Sequence, residues 1–184
     1  KAVSGDLIHG KYYVKETKAP AGYLLDGNKY PVTVSDTAKE IKVYPVESAD
    51  QVIRGDIELI KAEDGTLDRM ANVKFSITNK LTGESHVFIT DENGYYSTAA
   101  EWNKHTQNTN KGESPEDGIW FGGSEPDDGK GALPYGVYTI EELRCEANAG
   151  HKLVKFDVSI KRDNYTVNLG TVTNDLEKQI EIGT

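Results

Sequence analysis

The segment Leu133 to Glu142, Leu-Pro-Tyr-Gly-Val-Tyr-Thr-Ile-Glu-Glu, restricts what this chain can fold into more than any other. Read as a pleated strand, it puts Tyr138, Ile140 and Glu142 on one face. A carboxylate then points where apolar side chains point, and such a group is costly unless it is paired or protonated. Glu142 is therefore expected to have either a partner or a chemical role. The same spacing occurs earlier: in Leu7 to Glu16 the Leu, Gly, Tyr, aliphatic and Glu positions match Leu133, Gly136, Tyr138, Ile140 and Glu142. A spaced repeat of this kind argues for tandem copies of one unit.

The flanking sequence reads as short strands throughout. Lys11 to Glu16 leads into the breaker cluster Ala19-Pro20-Ala21-Gly22, after which Tyr30, Val32 and Val34 alternate and are expected to pair in a hairpin with Ile41, Val43 and Pro45. The first copy ends by Asp50, and residues 51–54 read as a short, stiff junction. Asp56 to Lys61 then puts Ile57, Leu59 and Lys61 on one face and Asp56, Glu58 and Ile60 on the other. Val73, Phe75 and Ile77 alternate, Leu81-Thr82-Gly83-Glu84 turns, Val87 to Thr90 runs back, and Asp91-Glu92-Asn93-Gly94 turns again. From Ala99 to Ala132 no period persists, so 99–132 reads as a long insertion, in which Ser114-Pro115-Glu116-Asp117 could cap one helical turn.

Beyond Glu142, Val154, Phe156, Val158 and Ile160 alternate, Arg162-Asp163-Asn164 turns, and Tyr165, Val167 and Leu169 alternate in reply. If Gly170 makes a bulge, the inward parity shifts by one and Val172 and Asn174 become the inward pair of the last strand. Many short strands with Gly-rich and Asx-rich turns, and no amphipathic helix, predict an all-β, antiparallel β-sandwich.

Composition excludes several functions. A net charge of -9 leaves no basic face for nucleic acid. With 36% hydrophobic residues and no long apolar run, membrane insertion is not expected. The single cysteine, Cys145, rules out an internal disulfide framework and reads as a small structural side chain rather than a nucleophile. Glu141 and Glu142 face opposite sides of one strand and cannot flank a glycosidic bond together. His9, His86, His105 and His151 share no ligand spacing, and Asp117, Glu125, Asp127 and Asp128 lack a calcium-loop signature, so no metal and no cofactor is expected. The sequence opens without a signal peptide, and an internal piece of a longer protein is the expectation.

Four phrases carry a family resemblance. Gly55-Asp56-Ile57-Glu58-Leu59-Ile60-Lys61, Thr90-Asp91-Glu92-Asn93-Gly94, Tyr138-Thr139-Ile140-Glu141-Glu142 and the run Tyr12-Tyr13-Val14-Lys15-Glu16-Thr17-Lys18-Ala19-Pro20-Ala21-Gly22-Tyr23 occur here. Together they resemble the collagen-adhesin B-type, or SpaA-like, modules of Gram-positive surface proteins and pilins. The resemblance implies immunoglobulin-like or prealbumin-like sandwiches in tandem, one partial and one complete. Residues 1–54 would be the end of a first module with its linker, 55–178 a complete second one, and 179–184 the start of a third. In that family a first-strand lysine, a glutamate and a last-strand Asn or Asp form a spontaneous intramolecular isopeptide bond. Carried over, these are Lys61, Glu142 as the promoting residue, and Asn174, the polar residues that strand parity turns inward. The first-module counterparts are Glu16 and Asp50, with the lysine expected from a strand upstream of Lys1 and an exposed, unpaired edge until it is supplied. One departure stands out: where the first copy has Ala-Pro-Ala-Gly-Tyr, the second has Arg144-Cys145-Glu146-Ala147-Asn148-Ala149-Gly150-His151.

The resemblance points to a structural stalk module of a secreted, cell-wall-anchored adhesin or pilin on a Gram-positive surface. It would not be an enzyme, since each molecule reacts once, and its partners would be neighbouring modules of the same protein. The alternative is a ligand-binding adhesin in which Trp102, Trp120 and Phe121 of the insertion contact a host glycan or matrix protein.

Overall fold

The computed structural model describes residues 2–35 and 44–175. The chain divides into two compact units, Lys1–Val52 and Ile53–Thr184.

The first unit contains four strands: β1 (Gly10–Lys15), β2 (Tyr23–Leu24), β3 (Lys29–Val34) and β4 (Gln51–Val52). β1 pairs with β3 in an antiparallel ladder running from Gly10 opposite Val34 to Lys15 opposite Lys29. The pairing expected for Tyr30 to Val34 with Ile41 and Val43 lies outside the described residues. β2 pairs with β4, Tyr23 opposite Val52. Half of the expected junction 51–54 is therefore strand belonging to this unit. Among its described residues only Gly22 is buried, and Ile8, Tyr13 and Val14 are exposed.

The second unit opens with a ten-residue strand, β5 (Arg54–Glu63), followed by β6 (Lys74–Asn79), β7 (Ser85–Ile89), β8 (Tyr95–Ser97), β9 (Leu133–Pro134), β10 (Gly136–Leu143), β11 (Lys155–Ile160) and β12 (Thr166–Asn174). They form one sheet in the order β11-β10-β6-β7 and another in the order β12-β5-β8, with β9 beside the start of β5. Period-2 alternation puts Phe75 and Ile77 of β6, Phe88 of β7, Tyr138 and Ile140 of β10 and Val158 and Ile160 of β11 into one apolar core, with Ile57 and Leu59 of β5 and Tyr96 of β8 from the other sheet. This is the all-β sandwich expected, with one difference of pairing. β12 runs parallel to β5, Val167 opposite Ile57 and Val172 opposite Lys61, whereas the other ladders of this unit are antiparallel. The first and last strands of the unit can lie side by side this way because the whole of the intervening chain serves as their crossover.

Two glycines set the frame of the site. Gly170, with φ +69, sits where the β12 register slips by one residue between Asn168 and Thr171. This bulge turns Asn174 inward. Gly94, also left-handed at φ +65, packs so closely on β5 that a Cβ would lie 2.5 Å from the Lys61 carbonyl oxygen.

The insertion 99–132 has little regular structure but is held firmly. Ile119, Phe121 and Ala132 join the core. The Arg54 side chain, 7% exposed, donates from Nε to the Gly131 carbonyl and from Nη2 to those of Phe121 and Ala132, while its guanidinium lies 3.6 Å from the Trp120 ring centroid. Asp56 Oδ1 accepts from the Ala132 backbone N–H and the Thr98 hydroxyl, so it ties both ends of the insertion to β5. At Ser114 to Asp117 a single turn forms. Its Asp117 carboxylate accepts the N–H groups of Glu113 and Ser114, and Ser114 Oγ accepts that of Glu116.

Candidate cross-linking site

Lys61, Glu142 and Asn174 come from three strands and meet inside the second unit. Lys61 continues the Ile57 and Leu59 stripe of β5, and Glu142 continues the Tyr138 and Ile140 stripe of β10. Asn174 arrives at the end of β12 through the bulge at Gly170. Their exposures are 0%, 1% and 4%. Lys61 Nζ lies 2.8 Å from Asn174 Oδ1, and Asn174 Nδ2 lies 3.1 Å and 3.0 Å from Glu142 Oε1 and Oε2.

The Asn174 amide turns its nitrogen, not its carbonyl oxygen, toward Glu142. The reason lies in donor and acceptor chemistry. A lysine amine bears only donors when charged, so Lys61 takes Oδ1, and the amide NH2 is left to the acceptor-only carboxylate. Glu142 therefore faces the nitrogen that would leave, not the oxygen. The remaining Lys61 donors reach the carbonyl oxygens of Ala62 at 3.2 Å and Val172 at 3.4 Å. Burial pushes the Lys61 ammonium below its ordinary pKa, against the opposing pull of the Glu142 charge, so the neutral, nucleophilic amine becomes more accessible.

Glu142 is anchored from its own side of the sheet. Its backbone N–H donates to the Val154 carbonyl, and the Val154 N–H returns to Oε2 at 3.3 Å. Asn148, fully buried in a single 3-10 turn (Glu146–Asn148), donates from Nδ2 to Oε1 at 3.0 Å. Asn148 stands in the stretch where the second copy departs from the Ala-Pro-Ala-Gly-Tyr pattern, and a lone Asn in a loop carried no periodic signal to single it out.

The other candidate residues fare differently. Glu16 is half-buried, and its Oε2 accepts the Asp26 backbone N–H at 2.6 Å, whereas Asp50 is exposed. Among the described residues no hydrogen bond joins the two. Trp120 and Phe121, offered as ligand-binding side chains, are 2% and 1% exposed. Trp120 stacks under Arg54 and donates from its indole N–H to the Ser124 carbonyl, and Phe121 packs edge-on against Tyr138. These two rings cover their own sandwich, since apolar rings on a long loop gain more that way than by facing water. Trp102, half exposed against Tyr95, is the one of the three that reaches the surface. Arg54, which fell in the expected junction, and Asp56, which parity put on the face opposite Ile57 and Leu59, are buried and use their charges internally; a strand read by itself does not reveal that an insertion covers it. Among the described residues no cluster of potential metal ligands forms, and no helix is long and apolar enough to cross a membrane.

Residues 1–48 match the SpaA family, described as a prealbumin-like fold domain. No curated protein sequence matches the chain. Among solved structures, the TIE protein of Bacillus anthracis is similar at 24% identity over 94% of this chain and 26% of its own, with a TM-score of 0.62. The chain thus spans about a quarter of that protein's length. A minor pilin of Streptococcus agalactiae is 16% identical over 98% of this chain and 66% of its own, with a TM-score of 0.46. The major pilin subunit of Bacillus cereus is 19% identical over 82% and 34%, with a TM-score of 0.41. Residues 1–48 thus match a SpaA prealbumin-like domain, and the chain has the all-β fold that its strand pattern predicts.

Proposed function

We propose that the second unit locks itself with an amide between Lys61 and Asn174, promoted by Glu142, and serves as a structural stalk module of a Gram-positive surface protein or pilin. The observation that carries this reading is the buried chain of contacts from Lys61 Nζ to Asn174 Oδ1 and from Asn174 Nδ2 to the Glu142 carboxyl. In the reaction the neutral Lys61 amine attacks Asn174 Cγ, a new C–N bond forms, and the bond from Cγ to Nδ2 breaks. Nζ gives up one proton and Nδ2 takes one up, so that ammonia leaves. Glu142, in contact with Nδ2, is the group placed to deliver that proton and be recharged from the attacking amine. Proximity supports the step, because residues 113 positions apart are already held within hydrogen-bond reach.

The product is a closed loop of the same span. By analogy with disulfide loops of about 100 residues it stabilises the unit by about 4 to 5 kcal/mol. An amide is not reducible, which suits a surface protein with one cysteine. The SpaA match over residues 1–48 supports the surface setting and a tandem arrangement with modules at about 1–54 and 55–178. Intact mass tests the reading. The folded chain is expected to have lost one ammonia, and a tryptic digest to yield one branched peptide joining Lys61 to Asn174. A folded sample at the unmodified mass would refute it.

A further inference from the structure

Asn148 is a buried amide whose orientation admits no choice. Its Oδ1 accepts the Cys145 backbone N–H at 2.9 Å, which only an oxygen can do, and its Nδ2 donates to the Leu143 carbonyl at 2.9 Å, which only a nitrogen can do. The loop that holds these backbone groups is itself tied down, with Arg144 Nη1 donating to the carbonyls of Asn148 and His151. The second Nδ2 hydrogen is thereby aimed at Glu142 Oε1. An oxygen that receives this bond must present a lone pair. The Asn174 nitrogen lies near both carboxyl oxygens, 3.1 Å from Oε1 and 3.0 Å from Oε2, so the two differ in their second donor. The shorter bond from Asn148, at 3.0 Å, makes Oε1 the better acceptor and favours Oε2 for the proton when Glu142 carries one. The Val154 N–H also approaches Oε2, but at 3.3 Å it is the longer of the two second donors.

We propose that Asn148 is the positioning residue of this reaction, holding Glu142 Oε1 as an acceptor so that the transferable proton resides on Oε2, against the departing nitrogen. The inference rests on the cross-linking reading above. The irregular loop after β10 then has a purpose, because it supplies the side-chain donor that fixes the tautomer of the acid. In the step itself the Oε2 proton passes to Nδ2 as its bond to Cγ breaks, Nζ returns a proton to Glu142, and Asn148 neither gains nor loses one.

The test follows ammonia loss from the start, with the full chain made by cell-free synthesis and sampled by intact mass over a range of pH. Wild type is compared with Asn148→Ala and Asn148→Asp, and folding of each is read from the fluorescence of buried Trp120. Asn148→Ala is expected to slow the loss by about 10- to 100-fold, the usual cost of deleting a group that orients a reactive one. Asn148→Asp keeps the acceptor for Cys145 but presents a carboxylate to Oε1. It is expected to be slow near neutral pH and to recover relative to wild type as the pH falls and the introduced acid regains a proton to donate. Wild-type rates in both variants, or slowing with a ratio to wild type that does not change with pH, would overturn the role of Asn148 while leaving the cross-link intact. If Asn148→Ala does not fold, the acid recovery of Asn148→Asp decides alone. Absence of ammonia loss in wild type would instead remove the cross-linking reading and this inference with it.

Discussion

The two units carry the same phrase and make different things of it. Locally they agree closely: Tyr12 donates its hydroxyl to the Ile8 carbonyl at 2.8 Å, and Tyr138 does the same to Pro134 at 2.7 Å, each four residues back. Each strand also delivers a glutamate at the same place. Yet Glu142 lies 1% exposed between Asn148 and Asn174, while Glu16 is half-buried on a backbone N–H. The difference comes from what faces the strand. In the second unit β5 and β12 close over β10 and bring a lysine and an asparagine with them; in the first, the described strands form two small ladders with no buried apolar side chain. A motif can place a carboxylate, but only a second sheet buries it among partners.

Four measurements would break or sharpen that contrast. The largest effect is expected from Asn174→Ala, which removes the acceptor. The second unit should keep its unmodified mass and lose about 4 to 5 kcal/mol, read by thermal or denaturant unfolding of that unit. If unfolding is unchanged, the closing sheet contributes no covalent lock and the contrast reduces to burial. Arg54→Ala comes next. It strands the buried Gly131 and Phe121 carbonyls, leaves that of Ala132 with the Phe121 N–H alone, and unstacks Trp120, so a loss of about 3 kcal/mol is expected. Ammonia loss should persist, which separates the holding of the insertion from the reactive site.

The third concerns pH. In the unlinked Asn174→Ala protein Lys61 remains free, and its folded-state pKa lies below the ordinary 10.5 because of burial. Between those two values the unfolded chain binds more protons, so stability should rise with pH toward 10.5. The acylated wild type should lack this rise, as a set of unfolding curves at alkaline pH would show. The smallest effect belongs to the first unit. Hydrogen bonds from Ser48, Tyr30 and the Asn28 backbone hold Asp26 down from 3.8 to about 2. Its contribution is present above 3.8 and is lost as pH falls through about 2. Asp26→Asn should abolish that acid dependence in hydrogen exchange of residues 26–34, leaving the second unit untouched.

Strand parity made much of this legible. Alternation along β5 and β10, together with the slip expected at Gly170, was enough to turn Lys61, Glu142 and Asn174 inward, because side-chain direction in a strand is a local property. What parity could not supply depends on distant chain. The parallel pairing of β5 with β12, the covering of Arg54 and Asp56 by the insertion, and the burial of Trp120 and Phe121 are all set by elements tens of residues away. The orientation of the Asn174 amide and the hydrogen bond from Asn148 to Glu142 lie further still from pattern, since they depend on which atoms donate and which accept.

The parallel alignment of β5 and β12 has a mechanical consequence. Tension applied to the two ends of the second unit enters at Arg54 and leaves past Asn174, and it would ordinarily shear the two strands past each other before unravelling everything between. Under the proposed amide the pull runs along β5 from Arg54 to Lys61, crosses one covalent bond, and exits at Asn174. Residues 62–173 are then bypassed, so the sandwich and its insertion hang slack beside a taut stretch of eight residues, 54–61.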